Sequence, residues 1–235
     1  MIKKAAILAA GEGSRIKHIS EHKPMVKLLG KPMIERLIAQ MKACGANQFT
    51  IAFNTAEKKM PFTTLAALGS QGINHFFVDT PSSMHTLYEV LKRANLSEGH
   101  ILVSMVDTII KEKDFINYCQ HCQNIKEGES SILITSFIDD EKPLTVQVDG
   151  KGQVVGFDTA VESGSSVTSG MYYFSSDILP HLEKCINSGV FKMRNFLAVL
   201  LKSGHKINSF LVPKTVDIDR PEDVQAAENF LREDL

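Results

Sequence analysis

The stretch "ILAAGEGSRIKHISEHKPMVKLLGKP", residues 7–32, decides how this chain is read. An apolar run ends at two glycines and an arginine, and basic side chains then gather before a second Gly-x-Pro turn. An apolar segment stopped by glycine reads as a buried strand running into a loop. No helical pattern begins at once, since residues 17–24 are polar except for Ile19 and end in proline. A P-loop would require Gly-Lys-Ser/Thr after four intervening residues, and that is missing. A dinucleotide fingerprint would require a third glycine near residue 16, where Ile16 stands. Gly11 and Gly13 can adopt positive φ and leave backbone N–H groups uncrowded, so the loop can form a concave nest for phosphate oxygens. Arg15 can add a charge-assisted contact. A plain turn is the competing reading of Gly-x-Gly alone.

Working outward, short apolar runs alternate with helical patterns. Residues 5–9 read as a strand. Met33, Ile34, Leu37, Ile38 and Met41 have helix spacing, which Gly45 ends. Strands are expected at 49–53, 74–79 and 101–106, with helices at 61–69 and 84–94 between them. This rhythm predicts a mainly parallel sheet covered on both faces. The pattern then changes to four strand candidates, at 131–138, 144–149, 154–157 and 167–174, with a hairpin signal at Asp149-Gly150-Lys151-Gly152. Helices at about 176–187 and 193–203, a strand at 206–212 and a final helix follow. Asp219-Arg-Pro-Glu222 opens that helix, with Asp219 read as its N-cap. The expectation is an α/β, Rossmann-like fold with helices on both faces and a small β-rich insertion folded over one end of the sheet. Residues 1–235 are expected to form a single domain.

Composition bounds the function. The 235 residues are 43% hydrophobic and carry a formal net charge of −1, which gives no support to bulk nucleic-acid or membrane-surface binding. Residues 1–36 hold eight basic side chains against three acidic ones, a local cationic bias that suits an anion. Cys119-Gln-His-Cys122 has redox or zinc spacing, but it falls late in a helical pattern and no second close pair completes a zinc site. With Cys44 and Cys185, these read as reduced thiols of a cytoplasmic protein. There is no signal-peptide pattern and no apolar stretch approaching a membrane span.

Leu8-Ala-Ala-Gly-Glu-Gly-Ser-Arg15, then Lys23-Pro24, then Leu29-Gly-Lys-Pro-Met-Ile34 resembles the signature of the sugar-1-phosphate nucleotidyltransferases. The likeness continues through Asp107, Thr168-Ser-Gly-Met-Tyr-Tyr-Phe174 and Val216-Asp-Ile-Asp-Arg-Pro-Glu-Asp223. The resemblance implies that Ala10, Gly11, Glu12, Gly13, Ser14 and Arg15 cradle a triphosphate and that Lys23 bridges the reacting phosphates. It also implies that Asp107 holds Mg²⁺ together with Asp217 or Asp219. Asp217 is favoured because Asp219 has a capping duty. Ser82 and Ser83 stand where the family reads the nucleobase, in place of its Gly-Thr, and helix capping is an equal reading of them. Gly170 matches a glycine that lets the backbone approach the acceptor, with a bulge as the competing reading. Val106 replaces the glycine usual before the metal-binding aspartate. The family's sugar-binding Glu-Lys-Pro is missing, since the matching region reads Phe157-Asp-Thr-Ala-Val-Glu-Ser163. His85, Lys192 and Arg194 are left open between substrate contact and surface roles.

These residues lead to a Mg²⁺-dependent nucleotidyltransferase acting on a nucleoside triphosphate and a small phosphorylated acceptor, foremost a sugar 1-phosphate. The alternatives are a CTP-dependent cytidylyltransferase for phosphocholine or a phosphonate, and a nucleotide-binding regulator without catalysis. A glycosyltransferase would want Asp-x-Asp where the chain has Asp107-Thr-Ile109. The nucleobase, the acceptor and the oligomeric state are left open.

Overall fold

The computed structural model describes residues 1–96, 98–139 and 143–233; the last two residues of the expected 1–235 domain lie outside them. The chain begins with β1 (Lys4–Ala9), the hairpin β2 (Lys27–Leu28) and β3 (Lys31–Pro32), and α1 (Met33–Ala43). Next come β4 (Gln48–Phe53), α2 (Phe62–Ser70), β5 (Ile73–Phe77), α3 (Ser83–Arg93), β6 (His100–Met105), β7 (Thr108–Ile109) and α4 (Glu112–Cys122). The second half contains β8 (Ser130–Thr135), β9 (Thr145–Val148), β10 (Val154–Asp158), β11 (Ser166–Ser175), α5 (Ile178–Asn187) and α6 (Met193–Lys202). It closes with β12 (Ile207–Val212), β13 (Val216–Asp217) and α7 (Pro221–Arg232).

Nine strands form one sheet in the order β10-β9-β11-β6-β1-β4-β5, with β8 pairing both β11 and β12. The pairs β1–β4, β1–β6, β4–β5 and β8–β12 are parallel, whereas β11 runs antiparallel to β6, β8 and β9. The β-rich section is therefore not folded over one end as expected. Its strands extend the same sheet, because the ten-residue β11 pairs with β6 over residues 171–175, with β9 at residues 166–167, and with β8 on both sides of a register break.

Alternation along β1 explains why the sheet is buried on both faces. Ala5, Ile7 and Ala9 join one core with Ile34, Leu37, Ile38 and Met41 of α1 and Phe115, Tyr118 and Cys119 of α4. Ala6 and Leu8 join the opposite core with Leu87 and Val90 of α3, Leu182 of α5 and Phe196 of α6. Successive strand residues point to opposite faces, so a strand covered on both sides must be apolar throughout. Each Ile, Leu, Met or Phe among them contributes about 1.5–3 kcal/mol when fully buried. Cys119 and Cys122 are packed in the first of these cores.

A third apolar cluster sits beneath the cleft. Ile16, Val26, Leu28 and Met33 from the segment after β1 pack against Ile109, Val216, Ile218, Ala227 and Phe230. It ties the glycine loop to the C-terminal helix. The β2–β3 turn places Leu29 and Gly30 at φ 50° and 78°, as a two-residue turn with both central residues left-handed requires. The Leu29 N–H donates to Glu228 Oε1 of α7 at 2.9 Å.

Candidate active site

The loop leaving β1 turns at Gly13, whose φ of 57° lies in the left-handed region. A Cβ built there would stand 2.8 Å from the Lys23 Cβ, so this glycine permits both the turn and the approach of Lys23. Gly11 differs from expectation: its φ is not left-handed and a Cβ there would meet nothing within 4 Å. What it leaves is open space above the loop. Glu12, Ser14 and Arg15 are exposed, and Ala10 is buried with its carbonyl accepting from Asn54 Nδ2 at 3.2 Å.

Lys23 opens a short 3-10 turn, Lys23–Met25, that Pro24 anchors in the interior. Its ammonium donates to Asp107 Oδ2 at 2.5 Å and to Asp219 Oδ1 at 2.9 Å. Asp107 lies two residues beyond the end of β6, after the buried Val106. Asp219 lies 196 positions beyond Lys23, and its arrival has a local cause. β13 pairs antiparallel with β7, setting Asp217 opposite Thr108 and Val216 opposite Ile109, and the Ile218 N–H donates to the Asp107 carbonyl at 3.1 Å. In the Val216-Asp-Ile-Asp219 stretch the two apolar side chains enter the third core while both aspartates face the cleft, as period-two alternation requires.

The capping expectation for Asp219 is corrected. The N-cap of α7 is Arg220, with Pro221 in the first turn. Asp223 takes the capping role, its Oδ2 accepting from the N–H groups of Asp219 at 2.8 Å and Arg220 at 2.6 Å. The reason for favouring Asp217 over Asp219 as a cation ligand therefore falls away. Asp219 Oδ1 faces Lys23, whereas Asp217 Oδ1 accepts from the Thr108 hydroxyl at 2.9 Å.

Charge is balanced unevenly here. Burial disfavours the charged form of Lys23, but Asp107 and then Asp219 outweigh it and hold the amine above its ordinary range. Desolvation by the cleft walls, then the Asp107 carboxylate, push the Asp217 carboxyl upward, while the Thr108 bond and Lys23 pull the other way. Because the Asp217 residue is open to solvent on its cleft side, the crowding of three carboxylates carries that direction.

Among the described residues, no trio of acidic, histidine or cysteine side chains closes around one point as a ready-made metal cage. Mg²⁺ does not need one: it takes one or two carboxylates and completes its shell with phosphate oxygens and water. Asp107 and Asp219 already share one positive charge, the Lys23 ammonium. This hard-oxygen donor set around a cation fits that ion.

The adjoining cleft, about 470 Å³, is lined by Arg15, Phe137, Asp139, Thr168, Asp217, Asp219, Arg220 and Glu222 among others. A smaller pocket of about 270 Å³ brings Ser82 and Ser83 together with Tyr172, Lys192 and Arg194, and shares Thr168 with the first. Ser82 occupies the N-cap position of α3 without capping it; its hydroxyl bonds His85 Nδ1 at 2.9 Å. His85 packs on Phe191, ring centroids 5.6 Å apart, and burial holds its pKa low. Gly170 has φ 75° at a break in the β11–β8 register. A Cβ there would lie 2.5 Å from Thr108 Oγ1, so its observed close neighbour is the hydroxyl that holds Asp217. Sequence reasoning missed His22, Asn54, Glu57 and Thr108, none of which sits in a recognisable motif.

The chain belongs to the MobA-like NTP transferase domain family, whose match covers residues 5–203. It is 23% identical over 239 residues to the bifunctional protein GlmU of Methanococcus vannielii, covering 98% of this chain and 55% of that protein. The chain thus spans about half the length of the GlmU relatives it matches. The UTP–glucose-1-phosphate uridylyltransferase AglF of Haloferax volcanii is 21% identical over 248 residues, with 98% of this chain and 97% of that protein covered. The solved CTP:phosphocholine cytidylyltransferase LicC from Streptococcus pneumoniae shares the fold, with a TM-score of 0.78 at 20% identity over 98% of this chain and 100% of that one.

Proposed function

We propose that residues 1–235 form one nucleotidyltransferase unit that couples a nucleoside triphosphate to a small phosphorylated acceptor, foremost a sugar 1-phosphate, and releases pyrophosphate. The observation that carries this reading is the Lys23 ammonium seated between Asp107 and Asp219, the second of which lines a cleft together with Arg15. An acceptor phosphate oxygen attacks the α-phosphorus in line, the bond to the β-phosphate oxygen breaks, and no covalent enzyme intermediate is needed. Asp107, with Asp217 or Asp219, would hold Mg²⁺, which when bound supplies charge neutralisation on phosphate oxygens. The backbone of residues 11–14 accepts the triphosphate against its N–H groups. Arg15 adds a fork of donors, and Lys23 exchanges a carboxylate partner for phosphate oxygens, where its charge lowers the barrier. Ser82 and Ser83 are assigned to the nucleotide side, and Gly170 keeps the backbone low where the acceptor enters.

A second reading is favoured by one observation. Phe137, Asp139 and Glu222 line the cleft beyond the aspartates, and Lys214 Nζ already lies 4.1 Å from the Phe137 ring centroid. An aromatic ring with carboxylates suits an acceptor bearing a cationic group, which supports a CTP-dependent cytidylyltransferase for phosphocholine or an aminophosphonate. Among the described residues no helix is long and apolar enough to cross a membrane. The four cysteines are unpaired, which suits a reducing cytoplasmic setting.

The test is pyrophosphate release with CTP, UTP, GTP and dTTP, each against glucose 1-phosphate, phosphocholine and aminoethylphosphonate with Mg²⁺. Turnover of one pair, lost in Asp107→Ala, supports the reading. Equal binding of nucleotide by wild type and Asp107→Ala, with no pyrophosphate from any pair, would make the protein a nucleotide-binding regulator.

A further inference from the structure

Lys23 is held from behind as well as from the carboxylate side. His22, the preceding residue, places Nδ1 2.6 Å from Glu57 Oε2, with side-chain exposures of only 12% and 5%. The Glu57 carboxylate also faces the Lys23 backbone N–H. A buried carboxylate is costly unless its oxygens are satisfied, and here the groups that satisfy it belong to the lysine turn. Burial pushes Glu57 upward and the His22 bond opposes that shift.

Glu57 is itself fixed. It lies in the 3-10 helix Thr55–Lys59, where Asn54 Oδ1 accepts from the Ala56 N–H at 3.0 Å. Asp79, just before Ser82 and Ser83, accepts from the Thr55 N–H at 3.0 Å and from the Thr55 hydroxyl at 2.6 Å. Asn54 Nδ2 reaches the Ala10 carbonyl at 3.2 Å. One short helix thereby touches the start of the glycine loop, the segment leading to the serines and the lysine turn. Among the described residues none from 54–59 lines the main cleft.

We propose that Glu57 is a positioning residue that sets Lys23 for nucleotidyl transfer, acting through His22 and the Lys23 backbone. The inference rests on the reaction proposed above. A side chain displaced by about 1 Å from its working place can lose about 100-fold in rate. Glu57→Gln keeps an oxygen acceptor for the turn, and Glu57→Ala removes it.

The experiment measures kcat and KM for wild type, Glu57→Ala, Glu57→Gln, Lys23→Ala and the double variant Glu57→Ala/Lys23→Ala, with melting temperatures to confirm folding. Glu57→Ala is expected to lower kcat about 10–100-fold with the acceptor KM unchanged, and Glu57→Gln to recover most of that rate. The double variant is expected to be no slower than Lys23→Ala, since two residues acting through one group are not additive. A double variant slowed by the product of the two single effects would overturn the proposal, and so would equal loss in Glu57→Ala and Glu57→Gln. If wild type releases no pyrophosphate from any pair, the proposed reaction itself falls. Calorimetric binding of the four nucleoside triphosphates with Mg²⁺ then decides the positioning claim. Binding weakened alike in Glu57→Ala, Lys23→Ala and the double variant upholds it, and additive weakening overturns it.

Discussion

Replacing Gly13 by alanine isolates the claim that the glycine loop and Lys23 form one unit. Two costs are written in the geometry. Alanine at φ 57° must adopt the left-handed region, at about 1–2 kcal/mol. Its Cβ would then lie 2.8 Å from the Lys23 Cβ, closer than carbon contacts allow. The Lys23 stem is pinned between that loop and its two carboxylate partners, so either the loop or the ammonium must shift. For a chain of this size, 1–2 kcal/mol lowers the melting temperature by about 2–8 °C. Displacing Lys23 by even part of the missing space is expected to slow pyrophosphate release about 10–100-fold. Gly11→Ala is the internal comparison: with no left-handed φ and nothing within 4 Å of the new Cβ, its stability should stay within about 0.5 kcal/mol of wild type. Calorimetry and a pyrophosphate assay read both variants. Gly13→Ala as stable as Gly11→Ala and fully active would refute the reasoning, because neither the backbone nor the Lys23 contact would then matter.

Asp107→Asn should lower turnover about 100-fold or more without abolishing nucleotide binding, as steady-state kinetics and calorimetry would show. Asp223→Ala removes the acceptor of the Asp219 and Arg220 N–H groups; a loss of about 1 kcal/mol, or 2–4 °C in a melting scan, is expected. The Asp217 carboxyl is shifted upward, so the folded protein binds more protons there than the unfolded chain between the ordinary carboxylate range and the raised value. Metal-free stability should therefore fall as pH rises through that window. Asp217→Asn should flatten this slope in melting curves taken with a chelator, and a slope unchanged by the substitution would contradict the crowding of the three aspartates.

The apolar residues 5–9 and the helix spacing from Met33 to Met41 made the parallel half of the sheet legible, because burial on both faces leaves an uninterrupted hydrophobic run. The β-rich half was legible as strands but not as part of the same sheet. Which neighbours β11 takes depends on pairing partners far away in sequence. In Asp219-Arg-Pro-Glu-Asp223 two readings of the cap fit locally; proline at the first helical position favours Arg220, and that choice frees Asp219 for the cleft. The alternation of Val216-Asp-Ile-Asp219 could have revealed that both aspartates share one face. Glu57 carried no signal, since a lone glutamate in a five-residue turn has no periodicity and its partner lies 35 positions away.

The central claim is that one cation-and-carboxylate centre, built from Lys23, Asp107 and the Asp217–Asp219 segment, receives a metal-bound nucleotide. A crystal structure with Mg²⁺ and the preferred nucleoside triphosphate tests it most directly. The account predicts the ion on Asp107 and on Asp217 or Asp219, the triphosphate along residues 11–15, and the Lys23 ammonium moved onto phosphate oxygens. Nucleotide seated away from the glycine loop, or an ion bound without Asp107, would contradict it.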